Sequence, residues 1–304
     1  MIHEKLLNPG RIAVVGGSNN LAKPGGKLLK NLKESLFKGL IFVVNPKEKE
    51  VQGIPAVPSV QDLPEVDLAI FAIPAAFCAE GIEFLAQNRN TRAFIVISAG
   101  FSETSLEGKI MEERMARAVD EVGGTLIGPN CIGMMNIFHT SVFTTPIPLL
   151  WPRGCDFISG SGATAVFIME AGIPKGLRFS SIWSVGNSAQ TTVEDILAYF
   201  DETFDPEVSS RVKLLYLETV KDPDKLLLHS ASLIRKGCRI AAIKAGSSSA
   251  GSRAASSHTG ALVSSDAAVE ALFRKAGIVR CYGREELVTV ANVFLCKELK
   301  GRKM

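Results

Sequence analysis

Along the chain, short runs rich in β-branched residues alternate with longer stretches whose apolar positions recur at helical spacing. "RIAVVGGS" (11–18) reads as a strand entering a glycine turn, and "KLLKNLKESL" (27–36) as an amphipathic helix. The runs "LIFVVNP" (40–46), "VDLAIFAIP" (66–74), "TRAFIVISAG" (91–100) and "GTLIGPN" (124–130) each stop at Gly or Pro. Between them, "AEGIEFLAQN" (79–88) and "LEGKIMEERMARAVDEV" (106–122) carry helical periodicity. Near-continuous apolar strands between helices predict a parallel sheet covered on both faces.

A second set follows. "CDFISGSG" (155–162) leads into "ATAVFIMEAG" (163–172), "RFSSIWSVGNS" (178–188) into "TVEDILAYFDE" (192–202), and "VKLLYLETV" (212–220) into "DKLLLHSASLIRKG" (224–237). "RIAAIKAG" (239–246) then enters a stretch of Ser, Gly and Ala, and "DAAVEALFRKAG", "IVRCYG" and "REELVTVANVFLCKEL" close the pattern. The rhythm is again an open α/β unit, flavodoxin-like. Residues 131–152 contain no Lys, Arg, Asp or Glu, and Pro146, Pro148 and Pro152 cluster there. That stretch reads as an extended connector, giving a Rossmann-like domain over 1–145 and a flavodoxin-like domain over 146–304, both with mainly parallel sheets.

A length of 304 residues suits two domains of ordinary size, and 46% hydrophobic with 21% charged residues suits a folded core. A net charge of +3 is too mild to point to nucleic acid, and no basic run is interleaved with aromatics. No apolar run approaches the ~18 residues that span a bilayer, and "MIHEKLLNPG" holds no signal-peptide core. Six cysteines are scattered without a C-x-x-C pair, so reduced thiols in a cytoplasmic protein are expected, with no zinc site.

Candidate chemistry gathers where strands end. In "VVGGSNNLAKPGGKLL" a strand turns into a helix through glycines, which suits an anionic phosphate, but the spacing breaks the G-x-G-x-x-G dinucleotide fingerprint. After the second strand, an NAD site wants an acid; Asn45, Pro46 and Lys47 stand there instead, and a lysine suits a phosphorylated ribose, as in NADP or coenzyme A. "AIPAAF", "ISAGFSE" and "IGPNCIG" end three more strands that face the same crevice, placing Asn130 and Cys131 near it.

In the second half, Ser159 to Gly162 form a strand-to-helix turn fit for another anion. The pattern is not a G-x-S-x-G nucleophile elbow, because Ile158 stands in place of the first glycine. Glu218 follows the strand "LLYLE", at the same sheet edge. His258 lies in "AGSSSAGSRAASSHTGAL" (245–262), a segment with too little apolar surface to bury and with glycines that keep it mobile. A mobile imidazole, a carboxylate at a strand end and a helix start that binds phosphate together describe a phosphohistidine site. The carboxylate fixes the tautomer while the other ring nitrogen attacks phosphorus.

With "IGPNCIG", "ISGSGATA", "SVGNSA", "LYLETVKDP" and above all "RAASSHTGAL" in view, the sequence resembles the NDP-forming acyl-CoA synthetases over nearly its whole length. This superfamily includes the succinyl-CoA synthetase α subunit, and the likeness is greatest to the ADP-forming acetyl-CoA synthetase branch. The resemblance implies that Gly16, Ser18, Lys47, Pro74, Ile97, Ser98 and Ala99 contact coenzyme A, with Asn130 and Cys131 near the thiol. It implies that His258 is transiently phosphorylated and Glu218 orients it. Ser161, Gly162, Ala163 and Thr164 would receive the phosphate, with Gly186 and Asn187 close to the acyl phosphate.

The implied enzyme is an ADP-forming acid–CoA ligase. It interconverts acyl-CoA, phosphate and ADP with a carboxylic acid, CoA and ATP. Nothing in the chain resembles the ATP-grasp module that holds the family's Mg-nucleotide. It is therefore expected to be one subunit of a hetero-oligomer, a split form or a shortened chain that needs an ATP-grasp partner. Two other readings compete: a non-catalytic CoA-binding regulatory module of the same fold, which needs neither His258 nor Glu218, and an NADP-dependent oxidoreductase, which leaves the second domain unexplained.

Overall fold

In the computed structural model, which describes residues 2–246 and 266–296, the apolar runs form two seven-stranded sheets. The first contains β1 (Arg11–Val15), β2 (Leu40–Val44), β3 (Glu50–Val51), β4 (Ile54–Val57), β5 (Leu68–Phe71), β6 (Ala93–Val96) and β7 (Thr125–Ile127). Their order is β3-β4-β2-β1-β5-β6-β7. Every pair is parallel except the β3–β4 hairpin. The chain leaves β1 toward β2 on one side and takes up β5 on the other, so the order reverses at the β1/β5 boundary. In doubly wound sheets that is where the crevice for a ligand opens.

Four helices accompany this sheet: α1 (Glu4–Leu7), α2 (Pro24–Glu34), α3 (Cys78–Asn88) and α4 (Leu106–Asp120). The core positions of β1, β5 and β6 are almost wholly buried from both sides, which is why these strands read as unbroken apolar runs. Pro24 stands at the first turn of α2, where its missing N–H costs nothing, and Ser105 caps α4 by accepting from the Gly108 amide.

The second sheet contains β8 (Gly133–Met135), β9 (Thr140–Val142), β10 (Leu150–Ser159), β11 (Phe179–Ser184), β12 (Val212–Leu217), β13 (Arg239–Lys244) and β14 (Val279–Cys281). The order is β14-β13-β12-β10-β11-β8-β9. β10 to β14 are mutually parallel and follow the flavodoxin order, with the reversal between β10 and β12. Its helices are α5 (Gly162–Gly172), α6 (Val193–Glu202), α7 (Pro223–Arg235), α8 (Asp266–Ala276) and α9 (Arg284–Leu295). Thr192 and Asp195 close a reciprocal capping box on α6.

The expected connector over 131–152 contains two short strands and the start of a third. β8 pairs antiparallel with β11, β9 pairs with β8, and β10 begins at Leu150. The part that forms the hairpin strands lacks charge because it is interior: Met134, Met135 and Val142 are fully buried, whereas Leu149 and Trp151 farther on are exposed. The β8–β9 hairpin also grips the first half of the chain. Asn31 of α2 donates to the carbonyls of Val142 and Thr144, and Asn136 donates to that of Leu7. One apolar cluster runs through both sheets, from Ile12, Leu28 and Ile95 to Met134, Trp183 and Leu215.

A candidate CoA and phosphate cleft between the two sheets

Both reversal points open onto one cleft of about 790 Å3. From the first sheet it receives the loops after β5 (Ile73, Pro74), β6 (Ile97, Ser98, Ala99) and β7 (Asn130, Cys131). From the second it receives the loops after β10 (Gly160 to Ala163), β11 (Val185 to Ser188) and β12 (Glu218, Thr219, Lys221). Twelve residues singled out from the sequence thus line one cavity: Pro74, Ile97, Ser98, Ala99, Asn130, Cys131, Ser161, Gly162, Ala163, Gly186, Asn187 and Glu218.

Gly16, Ser18, Lys47 and Thr164 lie outside that lining. Gly16, at φ +91°, sits just behind the wall: a Cβ there would come within 2.5 Å of the Ala72 carbonyl oxygen. Gly25, at the start of α2, approaches so closely that its own Cβ would stand 2.1 Å from the Gly16 carbonyl oxygen. The glycines let the β1 turn and α2 meet the β5 loop, which is a packing requirement. Ser18 is buried, and its hydroxyl accepts from the Asn20 amide. Lys47 is exposed at the end of β2, in a turn where its amide donates to the Asn45 side chain.

At the second reversal point, Ser161 caps α5. Its hydroxyl accepts from the Thr164 amide and the Thr164 hydroxyl, so the Thr164 side chain serves the cap. Gly162 is held against Ile132, whose Cγ2 would be 2.7 Å from an added Cβ. The first turn of α5 therefore presents its amides at the cleft, with the positive end of the helix dipole behind them. Glu218 follows β12, the neighbour of β10, and its Cγ lies 3.7 Å from where a Gly160 Cβ would be. His258, placed beside Glu218 by the sequence reading, lies outside the described residues.

Asn187, expected close to the acyl phosphate, lines the cleft and is tied into its wall. Its side-chain amide donates to the carboxylates of Glu103 and Glu112, and its carbonyl oxygen accepts from Asn130 at 3.2 Å. Its backbone amide donates to the Pro129 carbonyl, and that of Ala189 to the Gly128 carbonyl. The "SVGNSA" loop is thus a joint that seats the second sheet on the "GPN" loop of the first. Burial would push the Glu103 carboxyl up, but donors from Gly100, Asn187 and Phe101 outweigh it and hold the group below its usual range.

Lys221 completes the joint. Its Nζ donates to the carbonyls of Asn187 (3.0 Å) and Ser188 (2.7 Å), while its amide donates to Glu194. The protein packed around this ammonium lowers its pKa, opposed by the carboxylates of Glu112, Glu194 and Asp195. Cys131 donates weakly to the Val96 carbonyl, and burial pushes its thiol up to about 12; it is a wall of the cleft and no nucleophile. Glu103, Glu112, Glu194 and Lys221 escaped the sequence reading. Glu103 and Lys221 sit on strand-end loops and were open to discovery by that rule, whereas Glu112 lies inside a helix and carries no local signal.

Fold and cleft define a two-domain α/β protein whose strand-end loops and a helix start converge on one cavity. Residues 10–137 match the CoA binding domain family and residues 152–294 the succinyl-CoA ligase-like flavodoxin domain family. The chain is 36% identical over 298 residues to the α subunit of an ADP-forming acetate–CoA ligase II of Pyrococcus furiosus, covering 98% of itself and 64% of that protein. It is 36% identical over 296 residues to an ADP-forming acetate–CoA ligase I of Archaeoglobus fulgidus, covering 96% of itself and 42% of that protein. Among solved structures, a dinucleotide-forming acetyl-coenzyme A synthetase 1 of Ca. Korarchaeum cryptofilum, in complex with phosphate and ADP, superposes with a TM-score of 0.86 at 31% identity. That match covers 96% of the chain and 62% of the solved one. The chain belongs to the NDP-forming acyl-CoA synthetase superfamily, and it spans less than two thirds of the length of these relatives.

Proposed function

We propose that the chain is the CoA-binding, phosphohistidine-bearing part of an ADP-forming acid–CoA ligase. An ATP-grasp subunit or domain outside this chain supplies the Mg-nucleotide site, and the assembly is a hetero-oligomer. The observation that carries the reading is the cleft itself: one cavity lies between a CoA binding domain and a helix start suited to phosphate, with Glu218 beside that helix start.

In this reading coenzyme A enters along Pro74, Ile97, Ser98 and Ala99, with its thiol end toward Asn130 and Cys131. Gly16, Ser18 and Lys47 serve the nucleotide end beyond the cleft. An oxygen of inorganic phosphate attacks the thioester carbonyl, the C–S bond breaks, and CoA leaves with an acyl phosphate in its place. An imidazole nitrogen of His258 then attacks phosphorus, the P–O bond to the acyl group breaks, and the carboxylate departs. Glu218 holds the proton on the other ring nitrogen and stabilises the charge that develops there. The amides of Gly162 and Ala163 donate to the phosphoryl oxygens at a helix start that Ser161 and Thr164 shape by capping, and Gly186 and Asn187 fix the cleft wall beside them. The Ser/Gly/Ala segment carries phospho-His258 to ADP, whose terminal phosphate oxygen takes the phosphoryl group to form ATP.

The test is turnover after reconstitution with an ATP-grasp partner. His258→Asn should lower ATP formation from acetyl-CoA, phosphate and ADP by three orders of magnitude or more, with CoA affinity unchanged by calorimetry. Undiminished turnover refutes the assignment. Binding of CoA with no turnover in the wild-type assembly favours the regulatory-module reading.

A further inference from the structure

Six charged side chains line the cleft among the described residues, and four are carboxylates: Glu103, Glu112, Glu194 and Glu218. A phosphate or acyl phosphate carries up to two negative charges and would be repelled by such a wall unless a cation is fixed nearby. Of the two lysines, Lys109 is exposed on α4, and no bond from its side chain is seen. Lys221 is held: two of its three N–H donors reach the carbonyls of Asn187 and Ser188.

Its position follows from the sheet order. Lys221 belongs to the loop after β12, and the carbonyls it binds belong to the loop after β11. β10 lies between those two strands, so a side chain joining the two loops crosses the end of β10, where α5 starts. The ammonium and the α5 amides therefore flank the same part of the cleft. Holding two donors on fixed carbonyls leaves one N–H for a ligand, on a side chain whose conformational freedom is already lost.

We propose that Lys221 is an anion-binding residue of the cleft, its third N–H holding a phosphoryl oxygen opposite the start of α5. The assignment rests on the function proposed above and adds a residue to it. The ammonium offsets the four carboxylates locally and draws the phosphoryl group toward the helix start, where the two donors act together.

The experiment is calorimetric titration of inorganic phosphate into the full chain saturated with CoA, for wild type, Lys221→Met, Lys221→Gln and Lys221→Arg. Gln still donates to the loop carbonyls but is uncharged, so it separates anion binding from support of the joint. Wild type should bind phosphate and Lys221→Arg should stay within about threefold, because the charge persists. Lys221→Met and Lys221→Gln should weaken phosphate binding at least tenfold, with CoA affinity unchanged in all four. Equal phosphate affinity in wild type and Lys221→Gln overturns the proposal, as does a parallel loss of CoA affinity, which would make Lys221 a structural brace. Wild type that binds CoA but no phosphate also overturns it. Wild type that fails to bind CoA refutes the functional reading itself, and this assignment with it.

Discussion

Gly186 has φ +53°, and an added Cβ would stand 2.1 Å from the Pro129 carbonyl oxygen, the atom that accepts from the Asn187 amide. Strain of a left-handed residue is of the order of 1–3 kcal/mol, and here the clash is with backbone that cannot swing aside. Gly186→Ala should therefore lower the calorimetric melting temperature by about 5 °C or more, on the scaling of a few degrees per kcal/mol for chains of this size. An unchanged melting temperature would mean that the joint is not closely packed. The same joint holds Asn187 through partners that lie far off in the sequence. In the sequence it is a polar residue after a strand; in the fold its amide faces Glu103 and Glu112, the latter 75 residues away. Pairing over such a distance leaves no local pattern.

The β8–β9 hairpin shows the same limit at the scale of an element. An uncharged stretch with prolines has the composition of a linker, and only the pairing with β11 reveals a buried strand. The central parallel strands were legible because burial from both faces writes apolar runs into them, and Gly or Pro marks their ends; the short, half-exposed β4 near the sheet's edge was not. The helices were legible from periodicity, and α1 was not, being a single short turn. Six of the nine expected CoA contacts line the cleft because ligands of such sheets sit at carboxyl strand ends.

His139 pins this hairpin. One ring nitrogen lies 2.7 Å from the Ser141 hydroxyl and the other 2.9 Å from the Leu6 carbonyl, and the side chain is buried. The bond to a carbonyl makes Nε2 the protonated nitrogen of a neutral ring. Burial lowers the pKa to about 4 from 6.5, with the Leu6 carbonyl opposing the shift. Between those values the unfolded chain binds a proton that the folded chain refuses, so stability falls as pH drops through that window, by about 3 kcal/mol at its foot. His3, whose pKa burial also lowers, adds to the effect with the same sign. His139→Gln cannot titrate, and urea midpoints for it should fall less than those of wild type between pH 7 and pH 4.5. Equal slopes would show that the ring is protonated in the native protein.

On the scale of the molecule, the two sheets are not independent beads on a string. A shared apolar core, the grip of the hairpin on α1 and α2, and the Gly186–Ala189 joint fix their reversal points across one cavity. A ligand bound at the first sheet is thereby presented to the helix start of the second. The frame brings the loops after β5 to β7 and the start of α5 to one cavity, and the function proposed above gives the onward phosphoryl transfer to His258. The most direct measurement mixes the chain with an ATP-grasp partner and ATP labelled in its γ-phosphate, then follows label on this chain. The account predicts acid-labile, base-stable phosphate on wild type, absent from His258→Asn and much reduced in Glu218→Gln. Equal labelling of wild type and His258→Asn would contradict it.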